Sequence, residues 1–155
     1  MALLIRSFEP RDQDGVRWLI LTGLGERFGW IDETCNPDLD DIAANYVESG
    51  HIFVVVEVDG ELVGAGALIT EDNDRGRIVR MSVKRTHRRR GIGHALVTHL
   101  LDVARQKNFT QVRVSTEPDW EEAIRLYESC GFGEYNRDDV DIHFALALKT
   151  IDSEP

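Results

Sequence analysis

The stretch Val83–Leu101, VKRTHRRRGIGHALVTHLL, decides how the rest of the chain is read. The segment before it, Arg77–Val83, is apolar and strand-like, and five of the seven residues that follow Val83 are Lys or Arg. Gly91 and Gly93 bracket Ile92, after which Ile92, Leu96, Leu100 and Val103 recur at helical spacing, and Asn108 suits a left-handed helix end. A basic, glycine-bearing turn between a strand and a helix N-terminus is how a protein grips a diphosphate. The first helical turn has backbone N–H groups without partners, and the macrodipole places partial positive charge there. Gly91 and Gly93 let the backbone come close to a ligand, and Arg88, Arg89 and Arg90 supply charge-assisted hydrogen bonds to phosphate oxygens. Alone, a basic run is equally a solvated surface, a nucleic-acid patch or a targeting signal.

Charge decides between these. The chain of 155 residues carries a net charge of −10, yet Lys84–Arg90 contributes +5, leaving −15 on everything else. Most of such a surface repels phosphate backbones, which argues against nucleic acid and for a local anionic-ligand site. The length suits one domain over residues 1–150, with 151–155 a frayed tail. Cys35 and Cys130 form no CxxC pair and no N-terminal apolar segment is present, so a cytoplasmic protein with free thiols is expected. No run approaches transmembrane length, so no membrane partner is expected either. His51, His87, His94, His99 and His143 lack metal-ligand spacing, and no metal is expected.

Outward from the opening stretch, the elements follow from periodicity and punctuation. A strand is expected at Leu3–Phe8, then a helix from about Asp14 to Phe28 on Val16, Leu19, Ile20, Leu24 and Phe28, stopped by Gly29. A loop follows, then a second helix near Asp40–Glu48 closed by Gly50. His51–Val58 and the segment after Asp59-Gly60 form a hairpin, in which Gly64 and Gly66 mark a close approach by another element. Beyond the basic turn and its helix come a strand at Gln111–Thr116 and a helix from about Asp119, with Asp119 and Glu122 as a capping box. Gly131 and Phe132 fit a Schellman end, and a final hairpin closes the chain near Gly133–Arg137 and Asp141–Leu148. The order is β-α-α-β-β-β-α-β-α-β-β, an α/β (α+β) chain with a mixed sheet and helices on both faces.

RRRGIGHAL, Arg88–Leu96, resembles the acyl-CoA-binding signature of the GNAT superfamily of N-acetyltransferases, Gln/Arg-x-x-Gly-x-Gly/Ala. AIRLYESCGF, Ala123–Phe132, resembles that superfamily's second characteristic segment, and the element order is the same. The resemblance implies the acyl-CoA N-acyltransferase fold, a mostly antiparallel, splayed sheet of about seven strands. It implies acetyl-CoA as co-substrate. The backbone of Met81, Ser82 and Val83 then bonds the pantetheine arm like an added strand. Arg89, Arg90, Gly91, Ile92, Gly93 and His94 cradle the pyrophosphate, Arg88 opens the motif and fixes the loop, and Lys84 and Arg85 meet the 3′-phosphate or solvent. Tyr127 matches the tyrosine that, in many members, protonates the departing CoA thiolate. Its other reading is a core aromatic, since Ala123, Ile124 and Tyr127 share a helix face.

Two departures stand out. Trp120 occupies a position where members often carry Asn, which implies an altered pantetheine wall. Arg77–Val83 contains no carboxylate to act as general base. An alkylammonium with a pKa near ~10.4 is only about 0.04% neutral at pH 7. Glu71, Asp74, Glu117 or His143, through a water chain, are the candidates to help, each equally readable as a surface residue. For the acceptor, a small-molecule or peptide amine, Phe28, Trp30 and Asp32 offer aromatic walls and an acid. Phe28 and Trp30 are equally readable as packing at the helix end. The expected activity is direct acetyl transfer from acetyl-CoA to a primary amine. A non-catalytic acyl-CoA-binding or regulatory module is the alternative, and the assembly is left open between monomer and homodimer.

Overall fold

Asp59 and Gly60 both carry positive φ, 51° and 84°. A two-residue type I′ hairpin requires this, which is why Asp-Gly between two β-branched runs marks one. The computed structural model describes residues 2–30 and 36–148. In chain order the elements are β1 (Leu3–Ser7), α1 (Gln13–Phe28), β2 (Ile52–Val58), β3 (Glu61–Asp72), β4 (Arg75–Val83), α2 (Ile92–Gln106), β5 (Gln111–Thr116), α3 (Glu121–Ser129), β6 (Gly133–Arg137) and β7 (Ile142–Ala147). The strands form a seven-stranded sheet in the order β1-β2-β3-β4-β5-β7-β6. β4 and β5 pair in parallel, with α2 as the crossover such a pair needs, whereas β1–β2, β5–β7 and β6–β7 are antiparallel. The mixed-sheet expectation is met.

One expected helix is not. Over Asp40–Glu48 the chain instead makes two short helical turns, Pro37–Asp40 and Ala43–Val47. Leu39, Ile42 and Tyr46 are buried at helical spacing, which is what the periodicity detected. The Gln13 side chain of α1 donates to the Leu39 carbonyl (2.7 Å) and accepts from the Ile42 N–H (2.9 Å), a first-turn donor without a partner inside the helical segment that follows. Downstream, the Glu48 N–H reaches back five residues to the Ala43 carbonyl (2.8 Å).

The described chain divides into two units. The first comprises the chain up to Ala67 together with Arg80–Leu96. Its core holds Val16, Leu19, Ile20 and Leu21 of α1 and Phe53–Val56 of β2, with Phe53 edge-on to both Phe8 and Tyr46. Phe28, expected on the buried stripe of α1, is the last residue of that helix and is 52% exposed. The expected close approach at Gly64 is present. A Cβ there would lie 3.3 Å from the Ser82 carbonyl oxygen, and one on Gly23 of α1 would lie 3.1 Å from Ser82 Oγ.

The second unit comprises Leu68–Val79 and the chain from Val97 onward. Its buried residues include Leu100, Ala104, Phe109, Val112, Val114, Phe132, Ile142 and Phe144. Gly76 is glycine for want of room, since a Cβ would lie 2.9 Å from both Leu68 and Phe109. α2 ends as expected, with Asn108 left-handed (φ 62°), its N–H on the Arg105 carbonyl and the Phe109 N–H on the Ala104 carbonyl.

Arg6 of β1 is the polar anchor of the first unit. Its guanidinium bonds both Asp12 oxygens at 2.8 Å and Glu57 of β2 at 2.7 Å, and Asp12 is only 8% exposed. The Arg6 hydrogen bonds, opposed by burial and aided by the Glu9 N–H, hold the Asp12 carboxyl below the usual carboxylate range. Ionised Asp12 therefore stabilises the fold above its unfolded pKa, and the contribution fades as pH falls through the lower folded value. Asp12→Asn should cost roughly 2–4 kcal/mol in urea melts at pH 7, because it strips Arg6 of a buried partner. The gap from wild type should narrow as pH drops below about 4.

Candidate functional site

β4 ends at Val83, and the turn to α2 is built by its own side chains and by backbone handedness. Arg88 donates from Nε to the Val83 carbonyl (3.0 Å) and from Nη2 to Glu26 of α1 (3.0 Å). Its charge is thus used inside the protein, bracing the end of the strand against α1. Lys84 is paired with Glu61, and Arg85, 82% exposed, stands 3.9 Å from Glu26, so both have carboxylate neighbours. Arg89 and Arg90 are exposed. Arg89 has φ 63° and Gly91 φ 80°, with Arg90 between them on the negative side. Such alternation turns successive N–H groups toward one point, a backbone nest for an anion. A side chain at positive φ costs roughly 1–2 kcal/mol, so Arg89 holds strain of the kind that gathers at ligand sites. The Ala95 N–H bonds the Gly91 carbonyl at 3.0 Å, opening the helical ladder, so the N–H groups of Ile92, Gly93 and His94 lie ahead of it. Ile92 is buried, and His94 is exposed on the first turn.

β4 itself departs from regularity at Arg80, whose φ is 57° in mid-strand. Arg80 pairs bidentately with Asp38 (3.0 and 2.6 Å), and the Tyr46 hydroxyl donates to the same carboxylate at 2.5 Å. Burial would raise the Asp38 carboxyl, but the bonds from Arg80 and Tyr46 outweigh it and hold the group low. Burial and the Asp38 charge push the Tyr46 phenol up to about 12. Sequence reasoning passed over this triad. The available signal was Arg80 itself, a cation among apolar residues of a half-buried strand, which requires a partner somewhere. Met81, Ser82 and Val83 follow directly, all half-buried.

The acceptor-side residues are less gathered. Phe28 and Trp30 are 52% and 65% exposed, so neither packs the helix end, and Asp32 lies outside the described residues. The Arg27 guanidinium lies over the Phe28 ring at 5.9 Å.

In the second unit, Tyr127 is buried, its ring 5.9 Å from Phe132 and 6.4 Å from Phe144. The turn after α3 fixes it. Gly131 is left-handed (φ 98°), its N–H bonds the Glu128 carbonyl, and the Phe132 N–H bonds the Tyr127 carbonyl. This is the full Schellman pattern, with Phe132 on Tyr127 as its hydrophobic contact. Burial, with the neighbouring Cys130, pushes the Tyr127 phenol well above its ordinary range. Trp120, one residue beyond Asp119, is the N-cap of α3; its carbonyl accepts from the Ile124 N–H and its side chain is half-buried. Of the candidate bases, Glu71 is paired with Arg75 and Arg77, and the Asp74 carboxylate accepts from Thr110. His143 is hydrogen-bonded through both ring nitrogens. Among the described residues no group of His, Cys, Asp and Glu could hold a metal, and no helix is long and apolar enough to cross a membrane.

N-acetyltransferase 8 of Rattus norvegicus is 34% identical over 73% of this chain and 54% of its own length. The uncharacterized N-acetyltransferase YjgM of Escherichia coli is 32% identical over 63% of this chain and 60% of its own. The chain thus spans about half the length of the mammalian relatives it matches. Among solved structures, a GNAT-family acetyltransferase from Staphylococcus aureus superposes with a TM-score of 0.83 at 25% identity, over 96% of this chain and 100% of that one. The PaiA N-acetyltransferase of Thermoplasma acidophilum, solved with coenzyme A, reaches the same score at 16% identity and the same coverage. The sequence model of the Acetyltransferase (GNAT) family matches residues 18–132 without a break, from α1 through the basic turn to the cap beyond Tyr127, and the chain belongs to that family.

Proposed function

We propose that the chain transfers an acetyl group from acetyl-CoA to a primary amine by direct attack on the thioester. The observation that carries this is the turn at Arg89–Gly91, strained into a backbone nest at the open N-terminus of α2. A pyrophosphate is the anion that such a nest and two exposed arginines suit. In this reading Arg89–His94 bind the pyrophosphate, while Arg88 holds the turn in shape. The pantetheine arm lies along the Met81–Val83 main chain, where Gly23 and Gly64 keep the surroundings of Ser82 small. Trp120 takes the place of a polar contact to that arm.

Acetyl-CoA supplies an activated carbonyl, and the residues do the rest. Tyr127, kept protonated by its buried setting, gives its proton to the leaving thiolate. Burial outweighs the Ser129 hydrogen bond and pushes the Cys130 thiol up, away from thiolate, which favours direct transfer over an acyl-cysteine. Phe28 and Trp30 offer apolar surface to the acceptor, with Asp32 for its charge. A free thiol at Cys130 goes with a cytoplasmic setting.

Acetyl-CoA at a hundredfold excess over its Kd should stabilise the chain by about 2.7 kcal/mol, read as a rise in melting temperature. No rise at millimolar ligand removes the donor assignment. Tyr127→Phe should lower kcat about 10²-fold on any accepted amine while leaving that thermal shift intact; an unchanged kcat takes the acid role away from Tyr127. Gly91→Ala combined with Arg89→Ala should weaken acetyl-CoA at least about tenfold by calorimetry, since it strains the nest and removes a cation.

A further inference from the structure

The β5–β7 ladder carries a second set of polar groups on the face away from Tyr127. In its register Val114 opposes Phe144 and Ser115 opposes His143. Successive strand residues point to opposite faces. Phe144 is buried and meets the Tyr127 ring, so Ser115 and His143 belong to the other face. There Ser115 Oγ lies 2.8 Å from His143 Nδ1, and His143 Nε2 lies 2.9 Å from Asp138 Oδ2. Asp138 is aimed in advance, because its other oxygen accepts the N–H groups of Val140 (2.8 Å) and Asp141 (2.7 Å). Arg77 Nη1 donates to Ser115 Oγ at 2.9 Å. With Arg77 donating to its oxygen, Ser115 turns its own proton toward Nδ1, and Asp138 selects the tautomer that carries hydrogen on Nε2. Among the described residues, this face also carries Glu71 of β3, paired with both Arg77 and Arg75 of β4, and Arg113 of β5. Arg113 lies 4.8 Å over Tyr135 of β6, whose ring is 6.1 Å from His143.

We infer that Ser115, His143 and Asp138 form the proton relay that deprotonates the acceptor amine, a role that rests on the acetyl-transfer reading above. β4 offers no carboxylate for this, and Glu71, Asp74 and Asp38 already hold other donors. In the relay an ammonium proton passes to Ser115 Oγ as the Ser115 proton passes to His143 Nδ1, leaving an imidazolium beside the Asp138 carboxylate. The freed lone pair forms the C–N bond, and the carbonyl π pair moves to oxygen. Its return breaks the C–S bond and expels the thiolate. Tyr127 protonates that sulfur and recovers a proton from the amide nitrogen, and His143 releases its own to water. One ammonium and one acetyl-CoA thus give one amide, one CoA thiol and one proton. Acid and relay stand on opposite faces of a single ladder, as suits an amine arriving and a thiolate departing on different sides of the reacting carbon. Ser115 touches the amine; His143 and Asp138 act through it as positioning residues.

The test uses the full chain with spermidine, phenethylamine and a tripeptide with a free N-terminus as probes, following kcat at saturating acetyl-CoA from about pH 5.5 to about pH 9. Wild type should lose kcat on the acid side of this range, as a proton-accepting relay requires. His143→Gln should lower kcat about 10²-fold or more and abolish that acid-side loss, yet leave the acetyl-CoA thermal shift unchanged. Ser115→Ala should do the same, and Asp138→Asn, which loosens the hold on the ring, should lower kcat by a smaller factor. Free imidazole should restore part of the rate to His143→Ala. A His143→Gln chain with wild-type kcat and an unchanged acid-side loss overturns the relay alone. A wild-type chain that acetyl-CoA does not stabilise overturns the donor reading first, and the relay with it.

Discussion

The guanidinium of Arg88 sets the terms for the turn between β4 and α2. It closes on the carbonyl of Val83 and on Glu26 of α1, so the last residue of β4 and the first helix are held by one side chain. A planar fork with several donors can do this where an ammonium cannot. Once Arg88 is committed, the run Lys84–Arg90 stops being a uniform basic patch. Lys84 and Arg85 have carboxylate neighbours as well, whereas the backbone bends at Arg89 and Gly91 just ahead of α2. Backbone strain at Arg89 is maintained because the residue before it is pinned.

A similar division runs through the second unit. On one side of the β5–β7 ladder, Val114 and Phe144 bury apolar surface, and Tyr127 is fixed there by the Schellman turn of Gly131 and Phe132. On the other, Ser115, His143, Asp138 and Arg77 form a connected polar chain. Strand alternation separates the two, so one face of the ladder packs against the buried phenol of α3 while the other carries an oriented imidazole.

Much of the fold was legible because its signals are local. Asp59-Gly60, Gly29, Asn108 and Gly131 all sit at the positive φ values their positions in the sequence implied. β5 falls on Gln111–Thr116 as the β-branched run required. The second helix is present in shortened, π-helical form at Ala43–Val47, and its entry is tied to α1 by the Gln13 side chain through the backbone of Leu39 and Ile42. Phe28 followed the helical period but met the end of its helix. Trp120 took the cap position that Asp119 had seemed to claim, because α3 starts one residue later than its polar residues indicated.

The sequence by itself determined the element order, the caps and turns, the anion-ready junction at Val83–His94 and the segment around Tyr127. Those depend on propensities and hydrogen bonds a few residues long. Only the tertiary structure decided which charges are committed and which side chains cooperate. Arg88 meets Glu26 across 62 residues, Arg80 meets Asp38 across 42, and Ser115 meets His143 across 28. No period or spacing encodes such pairs. They exist because strand register and helix packing bring distant side chains within a hydrogen bond of one another, and a partly buried polar group must be paired where it lies.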